Sequence, residues 1–145
     1  MREYFSNSEK ETEQIASEFA TELKSGDVLA YKGGMGVGKT AFTRGLATGL
    51  KVTGEVSSPT FALVHEYKSL HTGQLSLYHF DMYRIKTFED VYSTGYFDYL
   101  DMEEIIAVEW SENVSEIFDE NTIYIDIEKI DENRRHIKIT GGNRF

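Results

Sequence analysis

Apolar residues recur along the chain with two different periods, and the changes of period mark out its elements. Residues 2–5 read as a short strand. Ser8 then opens a helix, with Glu11 three positions on completing a capping box. Ile15, Phe19 and Leu23, joined by Ala16 and Ala20, form an apolar stripe at helical spacing, and Gly26 is a natural stop. Residues 27–31 predict a strand and residues 41–46 a helix that ends near Gly49. Ser57, Ser58, Pro59 and Thr60 either begin a strand or form a loop whose hydroxyls sense a phosphate. Residues 61–68 and 75–80 both alternate, and His71 to Gln74 carries turn chemistry between them, so they predict a β-hairpin. Thr87 caps a short helix through Val91, and residues 96–100 suggest another. Ile105, Ile106, Ala107 and Val108 are consecutive and apolar, the mark of a strand buried on both faces of a parallel sheet. Ser111 is read as the cap of a helix through Val114, Ile117 and Phe118. Residues 123–127 and 136–140 alternate around Asp131, Glu132 and Asn133, a closing hairpin, and residues 141–145 are expected to fray.

One stretch breaks both periods. Gly33-Gly34-Met35-Gly36-Val37-Gly38-Lys39-Thr40 fits G-x-x-x-x-G-K-[ST], a phosphate-binding loop between a strand and a helix. Its glycines let successive backbone N–H groups turn inward as an anion nest, and the helix that follows adds its positive dipole end. The expected nucleotide contacts are Gly34, Met35, Gly36, Val37, Gly38, Lys39, Thr40 and Ala41. Lys39 would serve the β- and γ-phosphates in catalysis, and the Thr40 hydroxyl a Mg²⁺ ion. The dinucleotide fingerprint is excluded, because no third glycine completes G-x-G-x-x-G. No N-K-x-D guanine motif occurs, which leaves ATP by default. With the motif in place, the elements predict an α/β, P-loop NTPase-type three-layer domain. Its central sheet would be mixed and largely parallel, extended by antiparallel hairpins.

Such a loop needs an acid for Mg²⁺ at the end of a buried strand. Glu109 ends the apolar run and is assigned to the metal, directly or through water. Asp81 ends an alternating strand, which suits a hairpin outside the parallel core. It either positions or deprotonates the attacking water or simply pairs with Arg84. Trp110 either covers the nucleotide or packs beneath it. His79 reads by default as a satisfied strand histidine. Thr12, in the first turns of the first helix, is either a solvated or capping residue or a nucleotide contact.

Composition narrows the partners. The chain has 145 residues, enough for one domain, and 15 basic against 25 acidic side chains give a net charge of −10. Such a surface disfavours direct binding to nucleic acid or anionic membrane. There is no cysteine, hence no disulfide framework or thiolate metal site. No apolar leader or membrane-length run is evident, which predicts a cytoplasmic protein.

The P-loop, Ser58-Pro59-Thr60-Phe61, His79-Phe80-Asp81-Met82-Tyr83-Arg84 and Glu109-Trp110 occur in the order and spacing of the bacterial TsaE family, which the chain resembles over about residues 8–140. The resemblance implies a small ATPase required to make threonylcarbamoyladenosine next to the anticodon of tRNA. It would work with a TsaB–TsaD-type complex and meet tRNA only indirectly. It also implies Thr40 and Glu109 as Mg²⁺ ligands, residues 34–40 around the phosphates and Thr12 as a nucleotide contact. Met35 departs from the family's usual Leu or other apolar residue, without consequence for the chemistry. Competing readings are a small-molecule kinase and a nucleotide-gated binding module with little turnover. Besides Lys39 the local cations are Arg44, expected to face away, and Arg84, so hydrolysis by the isolated chain is expected to be slow.

Overall fold

The computed structural model describes residues 1–34, 36–52 and 64–145. Met35 and the segment 53–63, with its serines and proline, lie outside the described residues. In chain order the elements are β1 (Arg2–Ser6), α1 (Glu9–Ala20), β2 (Val28–Lys32), α2 (Lys39–Gly49), β3 (Val64–Tyr67) and β4 (Leu77–Asp81). There follow α3 (Phe88–Ser93), α4 (Tyr96–Asp101), β5 (Ile105–Glu109), a 3-10 segment (Ser111–Ile117), β6 (Ile123–Lys129) and β7 (Arg135–Gly141). The strands form one sheet in the order β1-β7-β6-β2-β5-β4-β3. Its centre is parallel, with β2 between β5 and β6 and β4 on the far side of β5. Antiparallel strands extend both sides, β3 on β4 and β7 then β1 on β6. The expected fold class is therefore the observed one.

Alternation across β5 sorts the core into two layers. Ile105 and Ala107 join Leu29, Tyr31, Phe19, Phe42 and Leu46 beneath α1 and α2. Ile106 and Val108 join Phe80, Tyr96 and Val114 beneath α3, α4 and the 3-10 segment. The burial of β5 on both faces follows from this sandwiching.

Three expectations need correction. β4 does not lie outside the parallel core: it pairs antiparallel with β3 and also parallel with β5. Its alternation of Leu77, Tyr78, His79 and Phe80 conceals burial on both faces, because the aromatic side packs on Tyr96 and Tyr99. Ser111 does not cap a helix. Trp110 occupies the cap position, Val114 kinks the turns, and the Ser111 hydroxyl donates instead to the Tyr31 carbonyl at 2.8 Å. The chain end is docked where fraying was expected: Arg144 pairs with Asp27 at 2.6 Å and Phe145 packs edge-on against Phe19.

The P-loop helix is held by close approach to α1. A Cβ at Gly45 would lie 2.2 Å from the Glu13 carbonyl oxygen, and one at Gly49 2.2 Å from that of Ser17. Ala16 and Ala20, the small members of the α1 stripe, lie opposite. Gly45→Ala forces the two backbones apart. The expected cost is about 1–3 kcal/mol, the usual penalty of overpacking. A thermal melt checks this, with an unchanged midpoint as the contrary result.

Candidate functional site

The loop from β2 to α2 holds its shape through residues in the left-handed region, with φ of +129° at Gly33, +72° at Gly36 and +114° at Gly38. At Gly33 a side chain would also meet the Ile127 carbonyl at 2.4 Å. Added carbons at Gly34 and Gly36 would enter open space, so the glycines leave the cleft side of the loop bare. No side chain caps the N-terminus of α2. Its first-turn N–H groups and dipole are thus available to an anion.

Buried hydroxyls fix this loop to the sheet. Thr43 donates to the Lys39 carbonyl at 2.8 Å. Having one proton, it must accept from the Tyr31 phenol 2.7 Å away. Burial pushes that phenol far above its ordinary value, so it keeps the proton it donates. With Ser111 bonded to the Tyr31 carbonyl, the exit of β2, the first turn of α2 and the exit of β5 form one unit.

Lys39 is only 6% exposed, and its ammonium lies 4.9 Å from the centroid of the Trp110 ring. Trp110 reaches this position by adopting φ 58°, ψ 42°, a left-handed conformation unusual for a large side chain. Strain of this kind collects at functional sites. The ring also meets Tyr83 at 5.0 Å.

Asp81 and Glu109 are cross-strand partners at the ends of β4 and β5. Burial would raise the Glu109 carboxyl, but the neighbouring His79, with the charges of Lys39 and His65, holds it below the usual range. The His79 Nε2 lies 3.4 Å from a Glu109 oxygen, an ion-pair distance without a well-formed hydrogen bond. His79 therefore touches the metal-candidate acid and is more than a strand histidine. Asp81 does not pair with Arg84. Its carboxylate accepts the Tyr83 N–H at 2.9 Å, while Arg84 lines a neighbouring cavity with Lys86 and Asn113.

An open cleft of about 540 Å³ gathers these groups. Gly34, Gly36, Gly38, Lys39, Thr40 and Ala41 line it together with Asp81, Glu109, Trp110 and Thr12. Val37 turns its side chain into the core, and its carbonyl accepts from Arg135. Thr12 is buried, with its hydroxyl 2.7 Å from that of Ser6. Ser6 gives its single proton to the Ser8 carbonyl, so Thr12 is the donor between them and retains its lone pairs as acceptors. Arg44 lines the cleft instead of facing away, but Glu9 and Glu13 on α1 take up its charge. Among the described residues no group of three or more His, Asp or Glu is gathered as a protein-only metal cage. The donor set suits Mg²⁺, which keeps water and phosphate oxygens among its ligands.

The β6–β7 hairpin was expected from the sequence, but the place of its turn at the cleft was not. Glu132, Asn133 and Arg135 reach the cleft, and the Arg135 Nε donates to the Val37 carbonyl at 2.6 Å. The signal was present only indirectly. A β6 parallel to β2 must deliver its C-terminal turn to the end of the sheet where the P-loop lies.

With this geometry in view, comparison with known proteins is decisive. Residues 6–137 match the family described as "Threonylcarbamoyl adenosine biosynthesis protein TsaE". The chain belongs to the TsaE family. It is 38% identical over 141 residues to the tRNA threonylcarbamoyladenosine biosynthesis protein TsaE of Aquifex aeolicus, covering 96% of each. It is 37% identical over 137 residues to that of Bacillus subtilis, covering 94% of this chain and 84% of the relative. The crystal structure of Bacillus subtilis YdiB superposes with a TM-score of 0.78 at 33% identity, covering 99% of this chain and 88% of that one. This TsaE-family chain thus carries its P-loop, its two strand-end acids and Trp110 in one cleft.

The β6–β7 turn has its own titration. Asp131 accepts the Arg134 and Asn133 N–H groups and pairs with the Arg134 side chain at 2.7 Å. The Arg134 backbone bond, then its side chain, then the Asn133 bond hold the carboxyl down to about 2. A depressed carboxyl stabilises the fold above the unfolded value of about 4, and that contribution is lost as pH falls through the folded one. NMR titration should therefore place the Asp131 midpoint near pH 2. An ordinary midpoint would show that the turn is not held this way.

Proposed function

We propose that this TsaE-family protein binds Mg²⁺–ATP in the cleft and hydrolyses it in support of threonylcarbamoyladenosine formation in tRNA. The reading rests chiefly on one observation: Lys39, at the uncapped start of α2, shares a cleft with the adjacent carboxylates Asp81 and Glu109. A triphosphate fits this arrangement because it needs N–H donors and a cation on one side. A metal-holding acid is needed on the other.

Lys39 and the α2 N-terminus would bind the phosphates, while Thr40 and Glu109 would hold Mg²⁺. The ion, when bound, neutralises phosphate charge. Glu109, kept ionised by its neighbours, suits a metal better than a proton-transfer role. Asp81 would orient or deprotonate the attacking water. Trp110 would exclude solvent beside Lys39 and guide its ammonium. Partner stimulation follows from charge. Arg44 is committed to Glu9 and Glu13, and Arg135 belongs to the β6–β7 turn, so beside the two carboxylates little positive charge is left for the transition state. A TsaB–TsaD-type complex would close the site, and the net charge of −10 favours protein over tRNA as the direct contact. A cytoplasmic setting accords with this role. No described helix is long and apolar enough to cross a membrane.

Steady-state ATPase assays at fixed salt should give slow turnover alone, no stimulation by free tRNA and acceleration by the protein complex. Fast turnover of the isolated chain, or stimulation by tRNA without protein, contradicts the proposal. Lys39→Ala should weaken ATP binding more than tenfold, at least about 1.4 kcal/mol by calorimetry. Glu109→Ala should remove the Mg²⁺-dependent part of affinity together with turnover, whereas Asp81→Ala should keep affinity and lose turnover. The opposite pattern in a magnesium titration would exchange the two carboxylates.

A further inference from the structure

Arg135 is a cation at the cleft without a carboxylate partner among the described residues. Of the six arginines, Arg2, Arg44, Arg134 and Arg144 are each paired to an acid, and Arg84 lies outside the main cleft. Arg135 spends its donors on backbone carbonyls instead. Its Nε donates to Val37 at 2.6 Å, and its Nη1 to Asp131 at 2.7 Å and Arg134 at 3.0 Å. Its Nη2 has no hydrogen-bond partner among the described residues. In a chain of net charge −10, leaving a guanidinium unpaired beside a P-loop keeps its charge for something that enters the cleft.

Position says which part of the ligand that is. The sheet order puts β5, with Glu109, on one side of β2 and β6 on the other. The acids that would hold the metal mark the γ-phosphate end, so the nucleoside must leave the P-loop towards the β6–β7 turn and the start of α1. There the cleft is lined by Arg135, Asn133 and Glu132 from the turn and by Thr12 from α1. The Thr12 proton is committed to Ser6, so its hydroxyl can offer a ligand only acceptor lone pairs.

Resting on the ATP-binding reading, we propose that Arg135 is a positioning and recognition residue for the nucleoside end of the nucleotide. Its Nε holds the P-loop through Val37, and its Nη2 engages the ribose or the base. One planar fork serves both tasks at once, which a lysine point charge does not reproduce.

The test separates nucleoside recognition from loop shaping by using a ligand with no nucleoside. Calorimetry would give affinities for ATP and for inorganic tripolyphosphate in the wild-type protein, Arg135→Gln and Arg135→Lys. Thermal melts would confirm folding of each. Both variants should weaken ATP by at least about tenfold, the effect of losing a charge-assisted bond, while tripolyphosphate changes much less. The ratio of the two affinities therefore collapses towards one. Equal weakening of both ligands would leave Arg135 a purely structural brace, and no change in either would remove it from the site; each outcome overturns the proposal. If Arg135→Gln does not fold, the ratio in Arg135→Lys decides alone. Failure of the wild-type protein to bind ATP strikes the underlying nucleotide reading and is seen before any variant is measured.

Discussion

Everything at the cleft depends on the parallel register of β2, β5 and β4. Parallel strands end on the same side, so the exit of β2 into the P-loop, Glu109 and Asp81 meet without any long loop to carry them. The ladder sets Asp81 directly opposite Glu109. Slipping β4 by one residue would turn Asp81 to the other face, towards Tyr96 and Val108. The apolar residues that fix this register are thus part of the site, although none touches a ligand.

A second constraint works on the backbone. Tyr31, Thr43 and Ser111 link the ends of β2 and β5 to the first turn of α2 through buried hydroxyls. Such groups are costly when unpaired and specific when paired. They leave the P-loop little freedom relative to the strand that carries Glu109. The α1–α2 contact through Gly45 and Gly49 does the same from outside. Trp110 then rests on Lys39 from a left-handed backbone that this rigid surround can sustain.

Local chemistry was legible in the sequence wherever a residue's role depends on its own neighbours. The glycines and lysine of the P-loop, the Thr87 cap and the apolar run of β5 all belong to that class. What escaped were consequences of pairing between distant strands. Asp81 was set apart from the parallel core because Leu77 to Asp81 alternates, and only the packing of Tyr78 and Phe80 on the α4 aromatics reveals the second buried face. Arg135 was invisible for a similar reason, since nothing beside it in the sequence indicates that it reaches Val37, 98 residues away. His79 looked like an ordinary strand residue until the β4–β5 ladder placed it beside Glu109.

The most direct test of the account is a crystal structure with Mn²⁺ and a non-hydrolysable ATP analogue, using anomalous scattering to locate the metal. One manganese is expected beside the P-loop, held by the Thr40 hydroxyl on the side where Glu109 lies. The triphosphate should be wrapped by the P-loop and the nucleoside should point towards Arg135. A metal bound by Asp81 with Glu109 turned away, or a nucleotide seated outside the P-loop, would contradict it.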